Sequence, residues 1–222
     1  TRQRFDSYAK YSKATIHEVL KPEELQDAVV VKATWMKTSY IENLGNGTFK
    51  VKELPIQTQF APVFGMIVQD FDQDGNLDVL MTGNDYATEL TVGRMDASQG
   101  NILKGDGKGD FVVLPINQSG YRVVGDTKAL VELQSAKGTL LTITSQNRDK
   151  LKFFESTKPY KVIALAANET SALLTLKNGK TRKVEIPYGS SFLSQSTHKL
   201  MFGNEVIKAQ AINEKGQKRM LN

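Results

Sequence analysis

The chain of 222 residues contains no cysteine, one tryptophan, two histidines and six prolines. Without cysteine there are no structural disulfides, no thiol nucleophile and none of the usual zinc cages. No stretch reaches the roughly 18 uninterrupted apolar residues of a membrane-spanning helix. The start, Thr1-Arg2-Gln3-Arg4-Phe5, lacks an initiator methionine and the apolar core of a signal peptide. It reads as a cut, so the length is expected to describe a piece of a longer protein. The two histidines, His17 and His198, lack the spacing of a metal pair, and both read as surface residues. Ser194 and Ser196 lie beside His198, but neither sits in a G-x-S-x-G elbow, so no serine nucleophile is expected there.

Excess charge of one sign is also scarce. There are 29 Lys+Arg against 24 Asp+Glu, a net charge of +5. Residues 1–130 carry 14 basic and 17 acidic side chains, and residues 131–222 carry 15 and 7. The basic groups, such as Lys177, Lys180, Arg182 and Lys183, alternate with apolar residues and read as solvated strand faces and hairpin tips. A basic stripe of that kind is weak evidence for nucleic acid, and none is expected as a partner.

The residues that are present divide the chain into three segments: 1–28, 29–164 and 165–222. In the first, Phe5, Tyr8 and Tyr11 recur at helical spacing. Thr15–Leu20 and Lys21–Ala28 read as two short helices, the second with Pro22 in its first turn and acids near its positive end. This is predicted to be a helical insertion or cap. From Val29 onward, apolar and β-branched runs of a few residues are broken by Gly, Asn and Asp, the pattern of short antiparallel strands. Residues 44–84 laid over 105–147 match at Gly47-Thr48-Phe49 with Gly109-Asp110-Phe111, at Leu54-Pro55 with Leu114-Pro115, and at Gly75 with Gly138. The fold class expected is therefore mainly β, with propeller-type antiparallel blades forming a partial propeller, because the chain is too short for the four to eight blades of closure. After residue 165, the turn Lys177-Asn178-Gly179-Lys180 predicts a hairpin. A Ser-rich run, Gly189–Ser196, leads to strands near Leu200–Phe202 and Val206–Ala209, so a small C-terminal β domain is expected.

The most specific pattern is Asp70-Phe71-Asp72-Gln73-Asp74-Gly75-Asn76-Leu77-Asp78. Carboxylates at loop positions 1, 3, 5 and 9, a glycine at 6 and the carbonyl of Asn76 at 7 make an all-oxygen site suited to Ca²⁺. Position 12 is Met81 instead of the EF-hand glutamate, and strands are predicted on both sides. The metal ligands predicted are Asp70, Asp72, Asp74, Asn76 and Asp78. In the overlaid segment the four acids become Leu133, Ser135, Lys137 and Leu141, so a single calcium site is expected. The glycine-rich run Gly105–Asp110 lacks phosphate-loop spacing and reads as a hairpin turn, and Trp35, Tyr86 and Tyr121 read as packing aromatics.

Together, Asp70–Asp78 and the preceding Asn43-Leu44-Gly45-Asn46-Gly47-Thr48-Phe49 resemble the FG-GAP/VCBS repeat family, whose propeller blades carry D-x-D-x-D-G-x-x-D calcium loops. The tail, Tyr188–Ser196 with Leu200–Gly203 and Val206–Arg219, is similar to an ASPIC/UnbV domain, which often follows such propellers in exported proteins related to cartilage acidic protein. Gly93–Asp96, Gly105–Gly109 and Gly125–Lys128 resemble the Bacteroidetes versions. Ala211–Gly216 departs from the family's Trp-Pro-Asp-Gly turn. The resemblance implies an extracytoplasmic, cell-surface or secreted, calcium-stabilised scaffold whose remaining blades lie outside this chain. The expectation is a non-enzymatic binding or adhesion module for a protein or glycan ligand. The alternatives are an accessory domain of a polysaccharide-processing enzyme and an assembly factor of an outer-membrane complex.

Overall fold

A computed structural model describes residues 4–221; Thr1–Gln3, at the head of the expected helical segment, and Asn222, at the end of the expected C-terminal domain, lie outside the described residues. The chain forms two compact units, residues 1–36 and 37–222.

In the first unit, three single-turn helices follow one another: α1 (Tyr8–Tyr11), α2 (Ile16–Val19) and α3 (Pro22–Leu25). Ser7 caps α1 by accepting the Lys10 N–H, and Thr15 with Glu18 makes a capping box at α2. Pro22 opens α3, where a missing N–H costs nothing. None of these helices buries a residue, so capping and the Arg4–Glu24 ion pair at 2.8 Å organise the segment more than packing does. Strand structure expected from Val29 is absent until Ser39. Val29, Val30 and Val31 stay exposed, because β-branched residues make a strand only when a partner strand takes up their backbone groups.

The second unit is built from antiparallel sheets, none of them closed among the described residues. A hairpin pairs β1 (Ser39–Gly45) with β2 (Thr48–Glu53) across Asn46 and Gly47, both at positive φ as a tight two-residue turn requires. Next comes a four-stranded sheet in sequence order, β3 (Gly65–Gln69), β4 (Asp78–Thr82), β5 (Asn101–Gly105) and β6 (Phe111–Val113). A three-stranded sheet follows, β7 (Thr127–Gln134), β8 (Thr139–Gln146) and β9 (Lys152–Pro159). Leu54-Pro55 and Leu114-Pro115 each run into one helical turn, Ile56–Gln59 (3-10) and α4 (Ile116–Ser119), just ahead of β3 and β7.

The tail contributes β11 (Glu169–Leu176), β12 (Thr181–Glu185), β14 (Val206–Asn213) and β15 (Lys218–Leu221) in the order β12-β11-β14-β15. A further pair, β10 (Lys161–Ala164) with β13 (Lys199–Phe202), joins residues on either side of position 165. Period-two burial explains the strands. In β8, Leu140, Thr142, Thr144 and Gln146 point inward, and in β3 Met66 and Val68 point out while Ile67 points in. All five residues of β4 are buried, as a central strand covered on both faces demands. Ile67, Leu80, Tyr121, Val123 and Leu130 form the core between the two central sheets, while Ala172, Leu174, Leu200, Phe202 and Ala209 form the core of the tail.

Strands β3 and β7 are edge strands, and the Ser-rich segment covers them. Leu130 N–H donates to Ser191 Oγ at 3.3 Å, and Glu132 N–H to Ser196 Oγ at 3.1 Å. In return Thr197 N–H donates to Glu132 O and Phe192 N–H to Phe64 O, both at 3.3 Å. Serine suits this position because a short hydroxyl can accept from an edge N–H without a strand's regular geometry.

Candidate metal centre

Strands β3 and β4 pair from Gly65 with Thr82 to Gln69 with Asp78, so the residues between them, Asp70 to Leu77, must reverse the chain. Gln73 (φ +58) and Gly75 (φ +93) take left-handed conformations to close the loop. The aspartates wind it. Asp70 Oδ1 accepts the Asp74 N–H at 3.0 Å and its Oδ2 the Gly75 N–H at 2.9 Å. Asp72 Oδ1 accepts from Asp74 N–H at 3.1 Å, and Asp74 Oδ1 from Asn76 N–H at 2.8 Å. Asp78 closes the base, taking the Phe71 N–H and, from β5, the Gly105 N–H, both at 3.0 Å. That last bond needs a glycine: a Cβ on Gly105 would stand 2.1 Å from Leu77 O.

Asp70, Asp72 and Asp78 each bring a carboxylate oxygen within 4.8 Å of the others, an arrangement that could hold a metal ion. Asp70 and Asp78 are 0% and 2% exposed. Burial, then the neighbouring Glu205, pushes the Asp70 carboxyl up to about 6, and burial also raises Asp78. Two buried acids and a third beside them are costly unless positive charge faces them, and an all-oxygen set of this kind fits a hard divalent cation. Of the other two predicted ligands, Asp74 is not among these three carboxylates, and for Asn76, whose backbone carbonyl is the expected donor, the structure describes the side chain. Asp74 turns its Oδ2 to Lys104 Nζ at 2.9 Å, and Asn76 Oδ1 rests against Gly107, 2.3 Å from where a Cβ would be. For Asp74, burial acts upward but Lys104 and the Asn76 N–H outweigh it, so the carboxyl stays below its usual range.

Lys104 also pairs with Asp72, and the two acids hold its ammonium above the ordinary value. On the buried side, Arg182 of β12 places Nη1 3.7 Å from Asp70 Oδ2 and Nη2 3.6 Å from Glu205 Oε1. Tyr160 donates its hydroxyl to Asp70 O at 3.0 Å, and Gln73 Nε2 donates to Pro159 O at 2.9 Å. Lys104, Tyr160, Arg182 and Glu205 carry no local motif. Only the pairing of distant strands brings them to the loop.

The other sequence candidates are placed as follows. The run Gly105–Asp110 joins β5 to β6, with Asp106 Oδ1 accepting from Lys108 and Asp110 N–H, an ordinary side-chain-stabilised turn. Tyr121 is buried with its hydroxyl 3.0 Å from Thr144 Oγ1, Tyr86 lies under Arg94, and Trp35 is exposed. His198 stacks on Tyr188 and its Nε2 meets Ala166 O at 3.1 Å. Ser196 Oγ accepts the Glu132 N–H at 3.1 Å. Beside the acidic loop lies an open groove of about 920 Å³, bordered by Tyr40, Met66, Val68, Asn76, Arg182 and Phe192. No family model matches the chain, and no match was found among curated proteins.

Proposed function

We propose that this chain is an extracytoplasmic calcium-binding β module that acts as a binding or adhesion scaffold for a protein or glycan ligand, without catalysis of its own. The observation that carries this reading is the convergence of the Asp70, Asp72 and Asp78 carboxylates in a loop between β3 and β4 that is wound by backbone N–H groups donating to those carboxylates. A cation there joins β3 to β4, and its oxygen-only surroundings favour Ca²⁺ over the softer transition metals. The groove beside the loop supports the binding role, since a turn fixed by a cation presents Asn76 and its neighbours with less entropy left to lose on association. The resemblance to FG-GAP/VCBS propellers and ASPIC/UnbV tails supports the same reading, as do the paired Leu-Pro helical turns ahead of β3 and β7.

Calcium titration of the intact chain tests it. One site per chain is expected. At a calcium concentration about 100 times Kd, linkage adds about 2.7 kcal/mol, which raises the thermal midpoint by roughly 5–10 °C over EGTA. Asp72→Ala should remove both the heat of binding and the EGTA effect. A midpoint indifferent to EGTA rules out the calcium role, and turnover of a polysaccharide panel would replace the scaffold reading with an enzymatic one.

A further inference from the structure

A second cavity, of about 400 Å³, lies between β3, β7, the Ser-rich segment and strands β12 and β13. Met66, Val68, Leu174 and Leu200 give it apolar walls, and Glu132 and Thr197 supply polar groups. The backbone of Glu132 is fully used, its N–H on Ser196 Oγ and its carbonyl on Thr197 N–H. One of its carboxylate oxygens is not used. Oε1 is shielded from solvent and has no hydrogen-bond partner, and the same holds for Thr197 Oγ1. The cations that line the cavity are committed elsewhere: Lys183 pairs with Glu185 at 2.6 Å, and Lys199 Nζ donates to Gln134 Oε1 at 3.5 Å. Burial alone pushes the Glu132 carboxyl up to about 8.

Glu132 is half-buried, and a carboxylate oxygen shut off from solvent that no hydrogen bond reaches carries an uncompensated desolvation cost. Both orphaned atoms can accept a hydrogen bond. With the carboxyl ionised, a donor placed between the two oxygens satisfies both, and the apolar walls require that it come on an apolar body. A single carboxylate is too poor a set for Ca²⁺ or Mg²⁺, and an anionic ligand would be repelled by it. A primary ammonium brings three donors and no acceptor. We propose that this cavity binds a small primary amine, its ammonium held by the Glu132 carboxylate and the Thr197 hydroxyl and its apolar body set against Met66, Val68, Leu174 and Leu200. This site is separate from the metal triad and uses none of its residues.

Isothermal titration of the intact chain at constant calcium, with 2-phenylethylammonium as probe and 2-phenylethanol as its neutral counterpart, tests the proposal. Saturable one-site binding of the amine is expected, at least about tenfold tighter than the alcohol, the scale of a charge-assisted hydrogen bond. Because Glu132 is largely protonated at neutral pH in the free protein, amine binding should release close to one proton, seen as a difference in heat between PIPES and HEPES buffers, whose ionisation enthalpies differ. Glu132→Gln should weaken the amine about tenfold or more and abolish the proton release, and Thr197→Val should weaken it several-fold with proton release intact. Absence of saturable amine binding, equal affinity for amine and alcohol, or full amine affinity in either variant would overturn the proposal. The Thr197 variant carries the decision if the Glu132 variant does not fold.

Discussion

Asp70, Asp78 and Glu132 are three acidic residues with raised pKa values, but they reach that state differently. The two aspartates each accept two backbone N–H bonds, which oppose the upward push of burial. Glu132 has no such compensation. Its folded pKa of about 8 lies above the value of 4.5 it has when exposed, so the native state holds a proton that the unfolded chain gives up. Stability from this residue is complete below pH 4.5 and is lost as pH rises toward 8. Urea unfolding at pH 5, 6.5 and 8 should show a progressive loss in the wild type that Glu132→Gln removes. Parallel profiles for the two proteins would show that the carboxyl is solvated. At this scale the acidic cluster was legible in the sequence, since spacing alone puts Asp70, Asp72 and Asp78 in one turn. It did not disclose Glu132, which looks like any acid on an alternating strand until the Ser-rich segment and β13 close over it.

Hydrophobic periodicity was enough to place β3, β4, the Asn178-Gly179 hairpin and β13, because each buries a face close to its own turn. It failed where the partner was distant. Val29–Val31 has the composition of a strand and stays exposed for want of one, and β15 is a run of Lys, Arg, Met and Leu that becomes a strand only through pairing with β14. The Ser-rich segment was legible as irregular but not as an edge cover. Its hydroxyls take the N–H groups of Leu130 and Glu132, so Ser191→Ala and Ser196→Ala should each destabilise by about 1–2 kcal/mol, the cost of stranding a shielded donor. Urea denaturation gives the size of the loss. Faster hydrogen exchange at the matching amide, Leu130 or Glu132, gives its location, and unchanged exchange in both variants would show that solvent already reaches the β7 edge.

At the scale of the molecule, residues 37–222 form one compact unit and residues 1–36 another whose helices bury nothing. The separated chain 37–222 is therefore expected to keep its calcium affinity and to melt within about 4 °C of the whole, the shift that about 1 kcal/mol produces in a chain of this size. Scanning calorimetry of both forms decides it; loss of cooperative melting would show that the helical segment is part of the core. Within the larger unit, the loop and the tail are joined by charge. Arg182 and Glu205, more than a hundred residues from Asp70 in sequence, come within ion-pair distance of that acid or of each other. The sequence by itself determined the strand-rich class, the short helices and the acidic turn, because each depends on residues near one another in the chain. Only the tertiary structure decided which acids converge, which cations face them, and which edges and carboxyls end up covered. Those outcomes depend on desolvation and on partners from other strands, and local pattern encodes neither.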